Sequence, residues 1–305
     1  MKVLILGAGA VGLSLAARLS DHCDVHAVCR QRHADAIAER GLVLTGLWGE
    51  GTHRFSASEE VPAGERYDYI FITSKALATR AICEQFADVI RDTETVSLQN
   101  GIGNEEIVAE YTDRVIGATI ITGFEWRGDA RVHISVVGGP MKLGRFPDGP
   151  DPKVDALVAL VEKAGIPVEG SDHIKGDLWA KTLYNSSLNP LGALMNVPYG
   201  KLLHPMPWGI IEHVVREAYA VMAEEGVRVP WPTADDYLAY LHDVQVPSTA
   251  EHHASMLQDI MHGHLTEIDF MNGEIAARAR KYELDAPYND CITRLMHFRE
   301  SLLEQ

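Results

Sequence analysis

In the first half of the chain, short apolar runs of strand length alternate with segments whose apolar residues have helical spacing. Residues 2–6 form a short, mostly apolar run with the length of a buried strand. Residues 13–19 follow with apolar positions at helical spacing. Residues 67–73 and 95–99 are further apolar runs of strand length. This alternation predicts an α/β fold, a Rossmann-type doubly wound sheet with helices on both faces.

The same patterns predict the other elements of this half. Further strands are expected at 24–29, 41–44, 115–122, 132–137 and 166–169. The strand at 132–137 is expected to be antiparallel to its neighbours. Helices are expected to follow residue 75, as far as about residue 90, and over 152–164.

From about residue 171 the strand patterns disappear and long helical patterns replace them. Candidate helices cover 173–189, 208–226 and 266–282. The length of 305 residues also exceeds the size at which a single core usually divides, about 250–300 residues. The sequence therefore predicts a dinucleotide-binding domain over 1–170 and an all-helical domain over 171–305.

Local signals refine the helical half. Pro190 is expected to stop or kink the first helix, because proline has no amide hydrogen to donate. Thr266 and Asp269 have the spacing of a capping box, which predicts Thr266 as an N-cap and Glu267 as the first helical residue. Gly263 is expected to separate two helices.

The charge and cysteine content narrow the range of partners. The formal net charge is −16, from 43 acidic and 27 basic residues, which disfavours nucleic acid and anionic membranes. No apolar stretch approaches the ~18 residues that a membrane-spanning helix needs. The four cysteines lack paired zinc spacing, which favours reduced thiols and a cytoplasmic location. The 14 histidines also lack companion ligands at metal-binding spacing, so no metal site is expected.

The segment between the first strand and the first helix has the G-x-G-x-x-G spacing of a dinucleotide-binding turn. It consists of Gly7, Ala8, Gly9, Ala10, Val11 and Gly12. The first glycine makes the tight turn, the second lets the backbone approach a pyrophosphate, and the third lets helix and strand pack closely. The helix N-terminus then offers amide groups to the phosphates. The strand before and the helix after favour this interpretation over a ligand-free glycine turn.

The residues after the second strand indicate which dinucleotide binds. An NAD site usually has an acidic residue here, whereas an arginine accommodates the 2′-phosphate of NADP. This chain has Arg30, with Arg32 close behind. We therefore expect NADP(H) rather than NAD(H). The alternative is that Arg30 is a solvated loop charge.

Polar residues also follow the predicted strands at 67–73 and 95–99. Ligands of an open parallel sheet bind beyond the carboxyl ends of its strands, so Lys75 and Asn100 are candidate contacts. For Asn100 a structural alternative remains, because Asn-Gly is also a common turn pair.

The helical half contributes a polar row. Lys181, Asn185 and Asn189 recur every four residues, within about 80° of one helical face and about 12 Å of its length. Their apolar neighbours predict a largely buried helix whose polar row faces a cleft: Leu178, Trp179, Leu183, Tyr184 and Leu188. The alternative for this row is an ordinary solvated helix face without a function. For Glu267, the alternative to a catalytic role is that its charge merely stabilises the end of a helix.

Several of these motifs resemble those of the ketopantoate reductases, the 2-dehydropantoate 2-reductases, over essentially the whole chain. The matching segments are 7–12, 98–101, 179–181 with Asn185, 189–191, 255–260, 266–269 and 272–273. The stretch from residue 255 onward is the most specific, since few other dehydrogenases combine its elements. The resemblance implies a Rossmann domain followed by an all-helical domain. It also implies NADPH-dependent reduction of 2-dehydropantoate to (R)-pantoate, a step of pantothenate and coenzyme A biosynthesis.

Residue roles follow from the same resemblance. Lys181 corresponds to the general acid, and Glu267 to a second catalytic carboxylate. The substrate contacts that it implies are Asn100, Lys181, Asn185, Asn189 and Ser255. The cofactor contacts that it implies, besides the glycine turn, are Arg30, Lys75, Asn100 and Glu267.

The chain departs from the family pattern at two places. Tyr199 stands where some members use an asparagine as a further substrate contact, and His264-Leu265 replaces a basic pair. A reductase of another 2-oxo acid is therefore an alternative. A non-catalytic NADP(H)-sensing regulator is a second one, although it would not need Lys181, Asn185 and Glu267 together. The helical domain can support a homodimer, but the sequence does not count subunits.

Overall fold

The computed structural model describes residues 1–303. The chain forms two compact units. The first contains Met1–Gln99 and Asn104–Asp177, and the second contains Asn100–Gly103 and the chain from Leu178 onward. The sequence-based boundary near residue 170 lies a few residues before this division, which falls inside a helix that begins at Ile174.

The first unit contains two sheets. Their strands, in chain order, are β1 (Lys2–Leu6), β2 (Asp24–Val28), β3 (Leu42–Gly46), β4 (Gly51–His53), β5 (Ser56–Ser58), β6 (Tyr69–Ile72), β7 (Glu94–Ser97), β8 (Val115–Thr119), β9 (Thr122–Trp126), β10 (Arg131–Val137), β11 (Met141–Arg145) and β12 (Val168–Gly170). The larger sheet has the order β12-β11-β8-β7-β6-β1-β2-β5. Its strands from β8 to β5 are parallel, and β11 is antiparallel to β8. The predicted doubly wound sheet is confirmed.

The helices of this unit are α1 (Ala10–Ser20), α2 (Gln31–Arg40), α3 (Thr79–Gln85), α4 (Ala87–Ile90), α5 (Asn104–Ala109) and α6 (Pro152–Lys163). Both faces of the larger sheet are buried because its strands are apolar at consecutive positions. Val3 and Ile5 of β1 join one apolar cluster with Leu13 of α1. Leu4 and Leu6 point the other way and join a second cluster with Ile70 and Cys83. The continuous apolar run at 2–6 is thereby explained.

The smaller sheet has the order β4-β3-β10-β9. It corrects two predictions. The pattern at 115–122 was interpreted as one strand, but β8 ends at Thr119 and β9 begins at Thr122 in the other sheet. Strand β10 is antiparallel to β9, as predicted, but it is also parallel to β3. Strand β11 had no predicted counterpart.

The second unit is helical among the described residues. Its helices are α7 (Ile174–Met195), α8 (Pro205–Glu224), α9 (Ala234–Tyr240), α10 (Val246–Ser248), α11 (Ser255–Met261), α12 (Asn272–Lys281) and α13 (Pro287–Ser301). Short 3-10 turns lie at Tyr199–Leu203 and Ile268–Phe270, and a π turn lies at Leu241–Gln245. Gly263 adopts a φ of +71° in the connection after α11, where a left-handed conformation separates two helical segments, as predicted.

Of the two outcomes predicted for Pro190, a stop or a kink, the stop is wrong, because α7 continues to Met195. A proline inside a helix leaves the carbonyl four residues earlier without its backbone donor. That carbonyl belongs to Ser186, and it accepts a hydrogen bond of 3.1 Å from the Asn272 side-chain amide. Asn272 also donates to Asn289 Oδ1 at 3.0 Å. A side chain distant in sequence therefore supplies the donor that Pro190 lacks.

The predicted capping box at Thr266 is also wrong. The Thr266 hydroxyl donates to Glu300 Oε1 at 2.6 Å, and its amide donates to the same oxygen at 2.7 Å. Asp269 instead pairs with His297 at 2.9 Å. Glu267 is consequently not the first residue of a long helix but precedes the short turn at Ile268–Phe270. The Glu300 carboxylate accepts from both donors of Thr266, so the Thr266 amide is not bonded to Asp269, while the hydroxyl oxygen accepts from the Ile268 amide at 3.3 Å.

No helix within residues 1–303 is both long and apolar enough to cross a membrane. Within the same residues, no three His, Cys, Asp or Glu side chains converge as metal ligands.

Candidate active site

Three of the predicted cofactor contacts follow the carboxyl ends of adjacent parallel strands. Gly7 follows β1, Arg30 follows β2, and Lys75 follows β6. Strand β1 lies between β2 and β6, so the order of connections reverses at β1. Ligands of open α/β sheets bind at such a reversal.

The three fingerprint glycines meet different surroundings. Gly7 has a φ of +69°, and a Cβ there would lie 2.6 Å from Ser74 Cβ. A Cβ on Gly12 would lie 2.9 Å from Ile5 Cγ2 and would also collide with the Thr73 hydroxyl. A Cβ on Gly9 would meet no atom of the protein within 4 Å. Packing therefore requires Gly7 and Gly12, whereas the open space at Gly9 fits the close approach of a pyrophosphate.

The N-terminus of α1 begins immediately after Gly9, which is its N-cap residue. The first amide groups of a helix lack intrahelical acceptors and favour an anion. Arg30 is exposed directly before α2, where its guanidinium can reach a phosphate. Arg32 lies 3.5 Å from Asp129, and Lys75 is exposed at the start of the turn after β6. These residues offer amide donors and positive charge at the end of the sheet where a dinucleotide is expected.

In the helical unit, α7 carries the polar row as the sequence predicts. Lys181 and Asn185 are half-buried, and Asn189 is buried at 4% exposure. The apolar neighbours Trp179, Leu183 and Leu188 are buried, so most of this helix is enclosed. Because the three polar residues share a face of a largely buried helix, the interpretation as an ordinary solvated face does not hold.

Tyr199 lies against the end of this row. Its hydroxyl donates to Asn189 Oδ1. Backbone hydrogen bonds join Tyr199 and Gly200 to the carbonyls of His252 and Ala250, at 3.0 and 2.8 Å. The segment that leads to Ser255 is thereby held beside the row, and a Cβ on Gly192 of α7 would lie 3.5 Å from Ala254 Cβ. Ser255 is exposed as the first residue of α11.

Asn100 and Glu267 form a second polar group in the same unit. Asn100 Nδ2 donates to Glu267 Oε2 at 2.9 Å, and Glu267 is buried at 7% exposure. Gly101 has a φ of +88°, and any Cβ there would collide with the Phe270 carbonyl. The Ile102 amide donates to that carbonyl at 2.9 Å. Asn100-Gly101 is thus a turn as well as a polar contact, and the turn fixes Asn100 on Glu267.

Sequence reasoning assigned no role to Asn272, although residues 272–273 are among the matching segments. Asn272 lies five residues after Glu267 and bonds to Ser186 O, between Asn185 and Asn189 on α7. The signal that could have revealed it is Pro190, because a helical pattern that continues past a proline requires a donor from elsewhere. The sequence offered no way to choose that donor.

The sheet and the helical unit together define a pyridine-nucleotide oxidoreductase. Residues 3–148 match the family model described as ketopantoate reductase PanE/ApbA, and residues 173–300 match its C-terminal counterpart. The chain therefore belongs to the ketopantoate reductase family.

Curated relatives and solved structures agree with this assignment. A 2-dehydropantoate 2-reductase of Pyrococcus horikoshii is 34% identical, covering 99% of this chain and 98% of its own. One of Aquifex aeolicus is 31% identical, covering 98% and 97%. A ketopantoate reductase of this family from Ralstonia eutropha has a TM-score of 0.89 at 27% identity, with 100% of both chains covered. A D-mandelate dehydrogenase in a ternary structure with NADH and anilino(oxo)acetate has a TM-score of 0.87 at 26% identity, covering 100% of this chain and 99% of its own.

Proposed function

We propose that this protein reduces 2-dehydropantoate to (R)-pantoate with NADPH, a step of pantothenate and coenzyme A biosynthesis. The observation that carries the proposal is the polar row of Lys181, Asn185 and Asn189 on a largely buried helix. Relatives named 2-dehydropantoate 2-reductase, at 34% and 31% identity over nearly the whole chain, support the choice of substrate.

The chemistry needs a donor at the ketone oxygen. Reduced nicotinamide supplies a hydride to the ketone carbon, and negative charge grows on the oxygen. A protonated Lys181 would stabilise that charge and transfer a proton to the oxygen, giving the alcohol. General acid catalysis of this kind contributes about 10²–10⁴-fold. The deprotonated lysine then takes up a proton from solvent.

The remaining residues bind and orient. Asn185, Asn189 and Ser255 would hold the carboxylate and hydroxyl of the substrate through hydrogen bonds, which fixes the carbonyl for reaction. Glu267 would act as the second catalytic carboxylate, and its bond from Asn100 orients it.

The choice of NADPH rests on Arg30. A guanidinium matches the geometry of a phosphate, and in the first unit Arg30 is exposed after β2, where the 2′-phosphate is expected. The glycine turn, Lys75, Asn100 and Glu267 would contribute the other cofactor contacts.

A second candidate function is the reduction of another 2-oxo acid. Tyr199 favours it, because the asparagine that some family members use for substrate is replaced by a buried aromatic residue. The structural similarity to a D-mandelate dehydrogenase, solved with anilino(oxo)acetate, points in the same direction. The two candidates share the roles of Lys181 and the cofactor residues.

The thiols are consistent with a reducing compartment, and we include a cytoplasmic location in the proposal. Burial raises the pKa of Cys29 and of Cys83 to about 11, so both remain protonated and unreactive at neutral pH.

The test follows NADPH absorbance with 2-dehydropantoate, 3,3-dimethyl-2-oxobutanoate, phenylglyoxylate and pyruvate, and repeats each with NADH. The proposal predicts the highest kcat/KM with 2-dehydropantoate and NADPH. Arg30→Ala should raise KM for NADPH but leave KM for NADH unchanged. A preference for phenylglyoxylate would support the second candidate. If no 2-oxo acid is reduced while NADPH still binds, the enzyme assignment fails and a sensing role is favoured.

A further inference from the structure

Tyr199 is buried at the end of the polar row and is held on several sides. Its side chain is 1% exposed, and its ring meets the edge of Tyr184 at 5.9 Å and the ring of His252 at 5.2 Å between centroids. Its backbone amide donates to the His252 carbonyl. The ring is therefore fixed, and so is the direction in which its hydroxyl points, towards Asn189 Oδ1.

A fixed phenol decides how the Asn189 amide is turned. The two ends of an asparagine amide have nearly the same shape, so either end can face a neighbour until a hydrogen bond chooses between them. Burial raises the pKa of Tyr199 well above its ordinary value, so the phenol keeps its proton. A phenol that donates to Oδ1 turns the NH₂ group of Asn189 away from Tyr199.

We propose that Tyr199 is a positioning residue that presents Asn189 to the substrate as a hydrogen-bond donor only. The inference rests on the proposed function, because it assigns Asn189 to the binding of a 2-oxo acid. Because its hydroxyl donates to Asn189 Oδ1, Tyr199 acts through Asn189. The ligand must then place an acceptor at Asn189, either a carboxylate oxygen or the lone pair of a hydroxyl. A ligand that offers only a donor there leaves its own donor and the NH₂ group of Asn189 without acceptors.

The kinetic test removes one hydroxyl. Tyr199→Phe should raise KM for the best 2-oxo acid about three- to tenfold, the range of one neutral hydrogen bond. The values of kcat and of KM for NADPH should stay within twofold of wild type. Tyr184→Phe is the matched control, because it removes the hydroxyl of the neighbouring aromatic ring. That hydroxyl forms a hydrogen bond of 2.9 Å with Thr249 Oγ1 and none with Asn189. This control variant should leave KM for the 2-oxo acid unchanged.

A double-mutant comparison separates positioning from structural damage. If Tyr199 acts through Asn189, Tyr199→Phe should have no effect on KM in an Asn189→Ala background. An undiminished effect in that background, a wild-type KM in Tyr199→Phe, or an equal effect of Tyr184→Phe would each overturn the inference.

A second readout does not need turnover. With ¹⁵N-asparagine labelling, the side-chain signal of Asn189 is identified by its loss in Asn189→Ala. Tyr199→Phe should shift that signal or exchange-broaden it, and Tyr184→Phe should not. An unshifted Asn189 signal overturns the inference. A shifted signal in a protein that reduces no 2-oxo acid shows that Tyr199 turns the amide while the proposed function is wrong.

Discussion

The sharpest structural prediction concerns the side chain of Asn272. Its side-chain amide donates to Ser186 O at 3.1 Å and to Asn289 Oδ1 at 3.0 Å, and all three residues are fully buried. Asn272→Ala removes both donors and leaves two buried acceptors. Each unsatisfied buried group costs about 1–3 kcal/mol, and the loss of the buried and unbonded Asn272 Oδ1 offsets part of this. We expect the free energy of unfolding to fall by about 2–4 kcal/mol.

Replacing Pro190 should reverse part of this loss. Pro190→Ala restores a backbone N–H that can donate to Ser186 O. In the Asn272→Ala background this donor satisfies an otherwise bare carbonyl, whereas in wild type that carbonyl already accepts from Asn272. Pro190→Ala should therefore be more favourable by about 1–2 kcal/mol in the Asn272→Ala background than in wild type.

The assay is urea unfolding followed by far-UV circular dichroism for wild type, both single variants and the double variant. Pro205→Ala provides the control, since Pro205 begins α8 and occupies a position that needs no intrahelical donor. Its effect should be the same in both backgrounds. Equal effects of Pro190→Ala in both backgrounds would refute the claim that Asn272 replaces the missing donor of Pro190.

Three further predictions concern the catalytic group, the cofactor turn and a buried histidine. Lys181→Ala should lower kcat about 10²–10⁴-fold with an unchanged circular dichroism spectrum, and near-normal turnover would remove its role as general acid. Gly9→Ala should raise KM for NADPH without lowering Tm, because a Cβ at Gly9 meets no protein atom. Gly12→Ala should lower stability by about 1–3 kcal/mol, because a Cβ at Gly12 does meet protein atoms. Equal Tm values for the two variants would contradict this difference. Burial lowers the pKa of His26 below its ordinary 6.5, so the unfolded chain takes up a proton there that the folded chain does not. Stability should thus fall as the pH drops below about 6.5, and His26→Gln should lessen that fall in urea titrations between pH 7.5 and 5.5; an unchanged pH profile would exclude His26 as a cause.

The sequence predicted the parts of the fold that local patterns determine. The apolar run at 2–6 and the glycine turn define a buried strand and its connection, because both signals lie within one short segment of the sequence. The row on α7 was also visible, since its spacing and its apolar neighbours lie within one helix.

The predictions that failed depend on partners distant in sequence. The division of 115–122 between two sheets follows from pairing with β11 on one side and β10 on the other. Thr266 does not form the predicted capping box with Asp269. Its amide and hydroxyl both donate to Glu300, in the last helix. Local propensity could not reveal such partners, because it carries no information on strand pairing, and Glu300 lies 34 positions from Thr266.

The candidate site also combines features that local patterns reveal with features that depend on contacts made only in the folded chain. The residue types for a ketone reductase could be identified from the sequence and the resemblance. The orientation of Asn189 by Tyr199 and the bond from Asn100 to Glu267 could not, because each pair is joined only by the folded chain.

The central claim is that the ammonium group of Lys181 serves the ketone oxygen. A crystal structure of the complex with NADP⁺ and (R)-pantoate tests it most directly. Lys181 Nζ should lie within about 3 Å of the C2 hydroxyl oxygen, at hydrogen-bond distance. A well-ordered complex in which Nζ points to solvent, and another side chain bonds that oxygen, would contradict it.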